Sequence, residues 1–521
     1  MRGVLIFPPG WCMYVGSPHL GLPLLQGVAR RAGVDLTVRD LNVEVSEFFD
    51  LKPRLADLHA ATAAGDIESL NKPYFDLEDR FNDIARPFGG TWNVQLGFQY
   101  AELKADSSAE VLAAAEMDSP FRSFFIERVI PDVRRLQPAF IGISIAAPGQ
   151  LIPAFQLCRA LKNAGYDGLI IMGGNIISRI REDLFHPDLY KLVDVFVGYQ
   201  GEFPFLGLIN ALKQGKCDFA EIPNLVYFDG RRVVGTPVLD RIDLERLPAP
   251  DFAGFPLGRY WGENYVTLVG ARGCYYGRCH FCAIPLGWNN KGFAGARSAD
   301  LVFADMVDVH EQHGVTRFKF IDEAMLPKMM LAIAKKIEER RLPFEWEAYT
   351  RLEKIWLDPD FVAAVARGGF RKAYFGLEVI PGQNRNRLNK RDCPDPETIL
   401  DRCAKYGVKV HFFCLFGFPG TGRPEAEATI EFVLNHADKV DTLDIFRFGY
   451  MRGTKVPGAK PIIRSDKDWA LEYEWAPDET GVLSVQESEE LKIELEELMW
   501  NEHPKMLHPT YRMLSPWRGP A

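Results

Sequence analysis

Arg272-Gly273-Cys274-Tyr275-Tyr276-Gly277-Arg278-Cys279-His280-Phe281-Cys282 crowds three of the chain's nine cysteines into nine consecutive positions. At that cysteine frequency the pattern arises by chance about 0.003 times in a chain of this length, so the clustering carries chemistry. A deprotonated thiol is a soft ligand, and three of them on one loop suit a metal ion or an iron–sulfur cluster. Structural zinc wants four protein ligands. His280 lies inside a C-x-x-C turn and points away from what the flanking cysteines hold, so zinc lacks an evident fourth ligand. A cubane cluster normally takes four thiolates, and with three it keeps one iron open for a small molecule. The other six cysteines, Cys12, Cys158, Cys217, Cys393, Cys403 and Cys414, are scattered. Cys158, Cys403 and Cys414 read as small buried hydrophobes.

Outward from this loop, the second half is a run of strands alternating with helices. Strands are expected at Tyr265–Gly270, Arg317–Asp322, Phe344–Thr350, Lys372–Val379, Val408–Phe416 and Leu443–Tyr450. Asp395-Pro396-Glu397 is a helix start and Gly407 its stop. Six such repeats suggest a partial parallel barrel with its chemistry at the carboxyl ends of the strands. The first half alternates likewise, with strands expected at Gly3–Phe7, Leu36–Asn42, Phe140–Ile145, Gly168–Gly174 and Asp194–Tyr199 and a helix at Gly21–Ala32 closed by Gly33. A polar, helix-prone insertion, residues 50–130, carries Phe75, Phe81, Phe88, Trp92, Phe98 and Tyr100, which read as a local core or as a lid over substrate.

The fold class is therefore α/β. A doubly wound parallel-sheet domain occupies residues 1–240, a Pro-rich linker 241–260, a partial (β/α)6 barrel 261–455, and a helical C-terminal extension 456–521. A net charge of −9 without a Lys/Arg block argues against nucleic-acid binding, and no apolar run approaches the ~18 residues of a membrane span. Val4-Leu5-Ile6-Phe7 is too short for a signal h-region, so a cytoplasmic location is expected.

Placed after the first strand of a βα barrel, Arg272 to Cys282 resembles the cysteine loop of the radical S-adenosylmethionine superfamily, although four residues rather than the common three separate Cys274 from Cys279. The resemblance implies a [4Fe-4S] cluster on Cys274, Cys279 and Cys282, with S-adenosylmethionine chelated by the open iron and Phe281 near its adenine. Four further stretches lie where that superfamily places its S-adenosylmethionine contacts. Phe320-Ile321-Asp322-Glu323 would receive the amino group, followed by Tyr349-Thr350-Arg351. Phe375-Gly376-Leu377-Glu378 with Asn389-Lys390 is similar to a "GLE…NK" pattern, and Phe416-Gly417-Phe418-Pro419-Gly420 looks like the turn supporting the adenine.

The first half resembles the cobalamin-binding domain that precedes the barrel in one large class of these enzymes. It keeps approximations of two motifs, Ser144-x-Ala146 and Gly173-Gly174, and lacks the D-x-H-x-x-G of the third; Asp308-Val309-His310 through Gly314 has the wrong spacing and lies on a barrel helix. The implied cobalamin contacts are Gly21, Ser144, Gly173, Gly174 and Glu202, with the cobalamin tail displaced and no histidine on cobalt unless His19 substitutes. Taken together, the resemblance implies a cobalamin-dependent radical methyltransferase acting on an unactivated carbon or phosphorus of a small-molecule precursor. The alternative is a non-methylating rearrangement or cyclisation with the same cofactors. An electron donor such as flavodoxin or ferredoxin is implied as partner.

Overall fold

A computed structural model describes residues 1–10, 16–51, 57–58, 60–61, 67–93, 97–215, 219–239, 242–260, 265–289, 292–380, 384–391, 393–478 and 482–508. The chain divides into two compact units, Met1–Trp261 with Arg464–Leu471, and Gly262–Ile463 with Glu472–Ala521.

In the first unit, five parallel strands form one sheet in the spatial order Asp35–Asp40, Arg2–Phe7, Phe140–Ser144, Leu169–Gly173, Val195–Val197. Val4 to Phe7 and all of Phe140–Ser144 are buried, as central strands covered on both faces must be. The chain leaves the Arg2–Phe7 strand in one direction and later resumes on its other side, so the topological switch point falls between Arg2–Phe7 and Phe140–Ser144. Two strands beyond those expected, Leu225–Phe228 and Val233–Gly235, extend the edge antiparallel. The second strand stops at Asp40, earlier than the apolar pattern suggests. The Asp40 carboxylate accepts from the Asn42 and Val43 amides at 3.1 and 3.4 Å and turns Leu41 and Asn42 into the first turn of a helix.

The 50–130 insertion has its own aromatic core. Phe81, Trp92, Phe98 and Tyr100 are buried, with ring centroids 4.6 Å apart for Phe81–Trp92 and 5.0 Å for Trp92–Phe121. Phe75 is exposed and Phe88 half-buried, so four of the six aromatics serve packing rather than a lid.

Two boundaries differ from the sequence expectation. Of the expected 241–260 linker, the described residues 242–260 are no free linker. Leu244 and Leu247 are buried, Gln26 donates to the Ala253 carbonyl at 2.6 Å, Asp251 pairs with Arg30 at 2.7 Å, and Tyr260 donates to Asp40 at 2.7 Å. The C-terminal extension is not simply helical. Tyr450–Met451, Glu472–Pro477 and Ala459–Ile462 form a small antiparallel sheet before the helix Val485–Glu502. Arg464–Leu471 belongs to the first unit because Lys467 pairs with Asp106 at 3.0 Å and Glu110 at 2.6 Å, and the buried Trp469 packs on Phe155. None of these partners lies near in sequence, which is why composition did not reveal them.

The second unit holds six parallel strands in sequential order: Tyr265–Leu268, Arg317–Phe320, Glu345–Thr350, Phe370–Glu378, Lys409–Phe416 and Thr442–Arg447. One face carries Phe318, Trp346, Ala348, Ala373, Phe375, Val410, Phe412 and Leu443, all fully buried. The alternate positions are charged. Lys319 lies 2.9 Å from Glu347, Tyr374 donates to Glu347 at 3.0 Å, Lys372 donates to Asp441 and Thr442 at 2.6 and 2.7 Å, and His411 Nδ1 lies 2.8 Å from Thr442 Oγ1. Every charge in this row has a partner, as burial demands. Among the described residues no helix is long and apolar enough to cross a membrane.

Gly174 sits at φ 109°, where a Cβ would overlap the Ile145 carbonyl. Gly173 has ordinary φ, and a Cβ there would meet only Val197, its nearest atom at 3.2 Å. Gly174→Ala is expected to lower stability by about 2–4 kcal/mol and Gly173→Ala by at most about 1 kcal/mol, as chemical denaturation of the two variants would measure.

Candidate functional site

The cysteine loop leaves the first strand of the second unit and turns on two glycines. Gly273 (φ 77°) passes so close to Gly292 that a Cβ would overlap its carbonyl, and Gly277 (φ 57°) packs against the Gly292 Cα. Gly277 lies in the left-handed region, which glycine adopts without strain, within the segment between Cys274 and Cys279. Cys274, Cys279 and Cys282 are free thiols, each half-buried, and Cys282 N–H donates to the Cys279 carbonyl at 3.2 Å. Desolvation pushes Cys279 up to about 11 and Cys282 up to about 12, so both thiols need a cationic partner to ionise near neutrality. Among the described residues no three His, Cys, Asp or Glu groups converge on one metal ion. A cubane cluster binds each thiolate to a different iron and asks for no such convergence.

The loop is held from three sides. Asp322, fully buried, accepts from the Gly270 and Ala271 amides at 2.9 and 2.6 Å. Glu323 accepts from the Gly273 amide at 2.9 Å and from the Trp288 indole at 2.8 Å. The segment after the fourth strand supplies the third side. His280 N–H donates to the Leu388 carbonyl at 3.1 Å, His280 Nδ1 lies 2.8 Å from the Arg387 carbonyl, Asn389 donates to the Arg278 carbonyl at 2.7 Å, and Tyr276 donates to the Asn389 carbonyl. His280 is therefore turned toward backbone, as its place inside the C-x-x-C turn implied.

The remaining sequence-expected residues separate into two groups. Phe281 stands edge-on to Phe418, centroids 6.5 Å apart, which brings the third-cysteine aromatic to the turn after the fifth strand. Arg351 is buried with its guanidinium 3.7 Å from the Tyr276 ring centroid. Glu378, at φ 60° and buried, pairs with Lys390 at 2.7 Å, while Lys390 also donates to the Gly376 carbonyl at 2.6 Å. A Cβ on Gly376 would collide with that pair, so the "GLE…NK" pattern encodes a buried ion pair and the bare backbone beneath it. Pro419 is buried in the same turn as Phe418.

The structure shows further roles for Asp322, Glu323 and Gly417. Each oxygen of the two carboxylates accepts from the cysteine loop or from Trp288, so these acids brace the loop. Gly417 (φ 75°) is glycine because Ser488 of the helix Val485–Glu502 packs where a Cβ would be. Tyr276 and its contacts with Arg351 and Asn389 escaped the sequence reading; two adjacent tyrosines inside a metal-binding loop were the available signal.

In the first unit, the expected cobalamin contacts line the carboxyl edge of the parallel sheet. Ser144 and Gly173 are register partners, as are Gly173 and Val197, and Glu202 opens the helix after that last strand. A Cβ on Gly21 would lie 3.5 Å from Ser144 Oγ, which places Gly21 beside the switch point. The edge presents Ser144, Ala146, Gly173, Gly174 and Gly201, none larger than serine, and so leaves backbone open to a broad, flat ligand. His19 stacks on Phe7 at 5.0 Å and receives the Gly21 amide on Nδ1 at 3.3 Å; burial pushes it down to about 4, keeping it neutral. Gln150, fully buried and unforeseen, accepts from the Ala146 and Ala147 amides and donates to the Pro8 carbonyl at 2.7 Å, bracing the two strand ends at the switch point. Cys12 and Cys217 lie outside the described residues.

Burial raises Asp322 from 3.8 to about 7, opposed by its two backbone bonds. The folded state then holds a proton that the unfolded state has lost between those values, so this group's contribution declines as pH rises through the window. Asp322→Asn replaces one acceptor by a donor and is expected to cost about 1–3 kcal/mol at pH 7. Denaturation from about pH 4 to 7 should show the parent losing stability relative to Asp322→Asn, and parallel behaviour above that range.

No family model matches the chain. An uncharacterized methyltransferase of Pyrococcus horikoshii is 24% identical over 383 residues, covering 71% of this chain and 78% of the relative. The solved structure of TsrM from Kitasatospora setae, a radical S-adenosylmethionine methyltransferase with cobalamin and a [4Fe-4S] cluster bound, superposes with TM-score 0.61 at 14% identity, covering 97% of this chain and 90% of that one. OxsB, a cobalamin-dependent S-adenosylmethionine radical enzyme solved with aqua-cobalamin and S-adenosylmethionine, gives TM-score 0.63 at 13% identity, covering 96% of this chain and 66% of that one. Over nearly its whole length, this chain has the fold of the cobalamin-dependent radical S-adenosylmethionine enzymes.

Proposed function

We propose that this protein is a cobalamin-dependent radical S-adenosylmethionine methyltransferase that acts on a small-molecule precursor. The observation that carries the reading is the braced three-thiol loop at the carboxyl end of the first strand of a six-stranded parallel sheet, in a chain that shares its fold with TsrM along both lengths. The methyltransferase relative at 24% identity supports the same reaction class. Cys274, Cys279 and Cys282 would hold the cluster. Phe281, Arg351, Glu378 and Pro419 would flank S-adenosylmethionine, and Gly21, Ser144, Gly173, Gly174 and Glu202 the cobalamin. When bound, these groups supply a one-electron reductant, a radical initiator and a methyl carrier, chemistry that no amino-acid side chain provides.

The chain's own residues hold and orient. Asp322, Glu323 and Asn389 fix the backbone on either side of the thiols, so that the three sulfurs keep one spacing. Phe281 and Phe418 give an apolar wall suited to a planar base. Neutral, ring-stacked His19 already uses Nδ1 within its own loop, which favours a cobalt without histidine. The expected carbon or phosphorus acceptor and a flavodoxin- or ferredoxin-like donor belong to the same proposal, as does a cytoplasmic location.

Replacing any one of Cys274, Cys279 or Cys282 by Ala should reduce iron and sulfide in the anaerobically reconstituted protein to near zero; near-normal iron in one variant would remove that cysteine from the site. Reduced enzyme carrying the cluster but no cobalamin should cleave labelled S-adenosylmethionine slowly to deoxyadenosine and form no S-adenosylhomocysteine. Cobalamin should restore S-adenosylhomocysteine, and with substrate a product heavier by one methyl. Methylation by cobalamin-free enzyme would sink the reading, and a product of unchanged methyl count would favour the rearrangement instead.

A further inference from the structure

Arg351 directly follows the third strand of the second unit's sheet with only 8% of its surface exposed, yet among the described residues no carboxylate pairs with it and its Nε has no hydrogen-bond partner. A buried, unpaired guanidinium is costly unless something compensates its charge. One compensation is visible. The cation lies over the Tyr276 ring at 3.7 Å, with Tyr275 at 5.9 Å, and both rings belong to the segment between the first two cysteines. Cation–π attraction offsets only part of such a charge. Two neighbouring charged groups are already engaged. Lys390 is paired with Glu378 at 2.7 Å, and Glu353 accepts from the Tyr275 hydroxyl at 2.6 Å.

We infer that Arg351 is the electrostatic counter-charge of the cluster held by Cys274, Cys279 and Cys282, and that it raises the cluster's reduction potential. The inference rests on the cluster assignment above. A cubane core of charge 2+ on three thiolates carries a net charge of −1, and one-electron reduction makes it −2. A fixed cation in a poorly solvated site stabilises the more negative state, so it favours the reduced cluster. Tyr276 holds the guanidinium in place: its ring supports the cation, its hydroxyl donates to the Asn389 carbonyl, and it accepts from the Arg391 amide at 2.9 Å. Arg351 is thus a positioning and tuning residue whose effect is readable before any S-adenosylmethionine is added.

The test is a potentiometric titration of the reconstituted full chain, followed by electron paramagnetic resonance of the reduced cluster, with no S-adenosylmethionine present. Arg351→Gln should keep the parent's iron content while the ratio of reduced to oxidised cluster at a fixed potential falls about tenfold, a shift of ~59 mV for one electron. Arg351→Lys, which keeps the charge and loses the planar stack, should titrate close to the parent. An unchanged potential in Arg351→Gln, or an equal fall in both variants, would overturn the inference while leaving the cluster assignment intact. Loss of iron in Arg351→Gln would move the test to Glu353→Gln, which removes a neighbouring negative charge and keeps an acceptor for Tyr275. Its potential must then rise, and no shift there would also overturn the inference. A parent protein that holds no cluster would instead remove the functional reading itself.

Discussion

The bond between Asp322 and the Gly270 and Ala271 amides is the constraint on which the candidate site depends. A carboxylate at the end of the second strand takes two adjacent donors from the end of the first, so the cysteine loop starts from a fixed point. Glu323, one residue on, takes the next free amide, at Gly273, and ties it to Trp288. Two consecutive acids thus set the direction in which the chain leaves the sheet. Without such acceptors these amides would be buried and unpaired, at a cost of about 1–3 kcal/mol each. The penalty that desolvation places on Asp322 is the local cost of this arrangement.

The same logic runs through the interior of the six-stranded sheet. Strands alternate their side chains, and here one face meets the helices through Phe318, Trp346 and Phe412 while the other carries Lys319, Glu347, Lys372 and His411. Apolar residues could fill that second face, but they would offer no fixed charges or hydrogen-bonding groups. The paired row gives the sheet a defined polar interior in which oppositely charged groups face each other. The glycines of the first unit do a complementary job. Gly174 is glycine because the Ile145 carbonyl occupies the space of a Cβ, whereas Gly173 and Gly201 have more room and leave the sheet edge bare. One glycine pair therefore combines a folding requirement with a surface property, and only the first of the two is forced by backbone geometry.

The sequence by itself determined the six strands of the second unit, to within about three residues at each end, and the five parallel strands of the first. It also determined that three thiols share one loop and that this loop follows the first barrel strand. These features are local: they rest on apolar periodicity, on turn residues and on spacing, which the chain carries wherever it folds. Only the tertiary structure decided that Asp322 and Glu323 brace the loop, that Gly417 makes room for Ser488, that Arg351 lies on Tyr276, and that Arg464–Leu471 joins the first unit through Lys467 and Trp469. In each case the partner is distant in sequence. An acid at a strand end has the same local signature whether it faces a ligand or a backbone amide 50 residues away, and only folding brings the competing donor within reach.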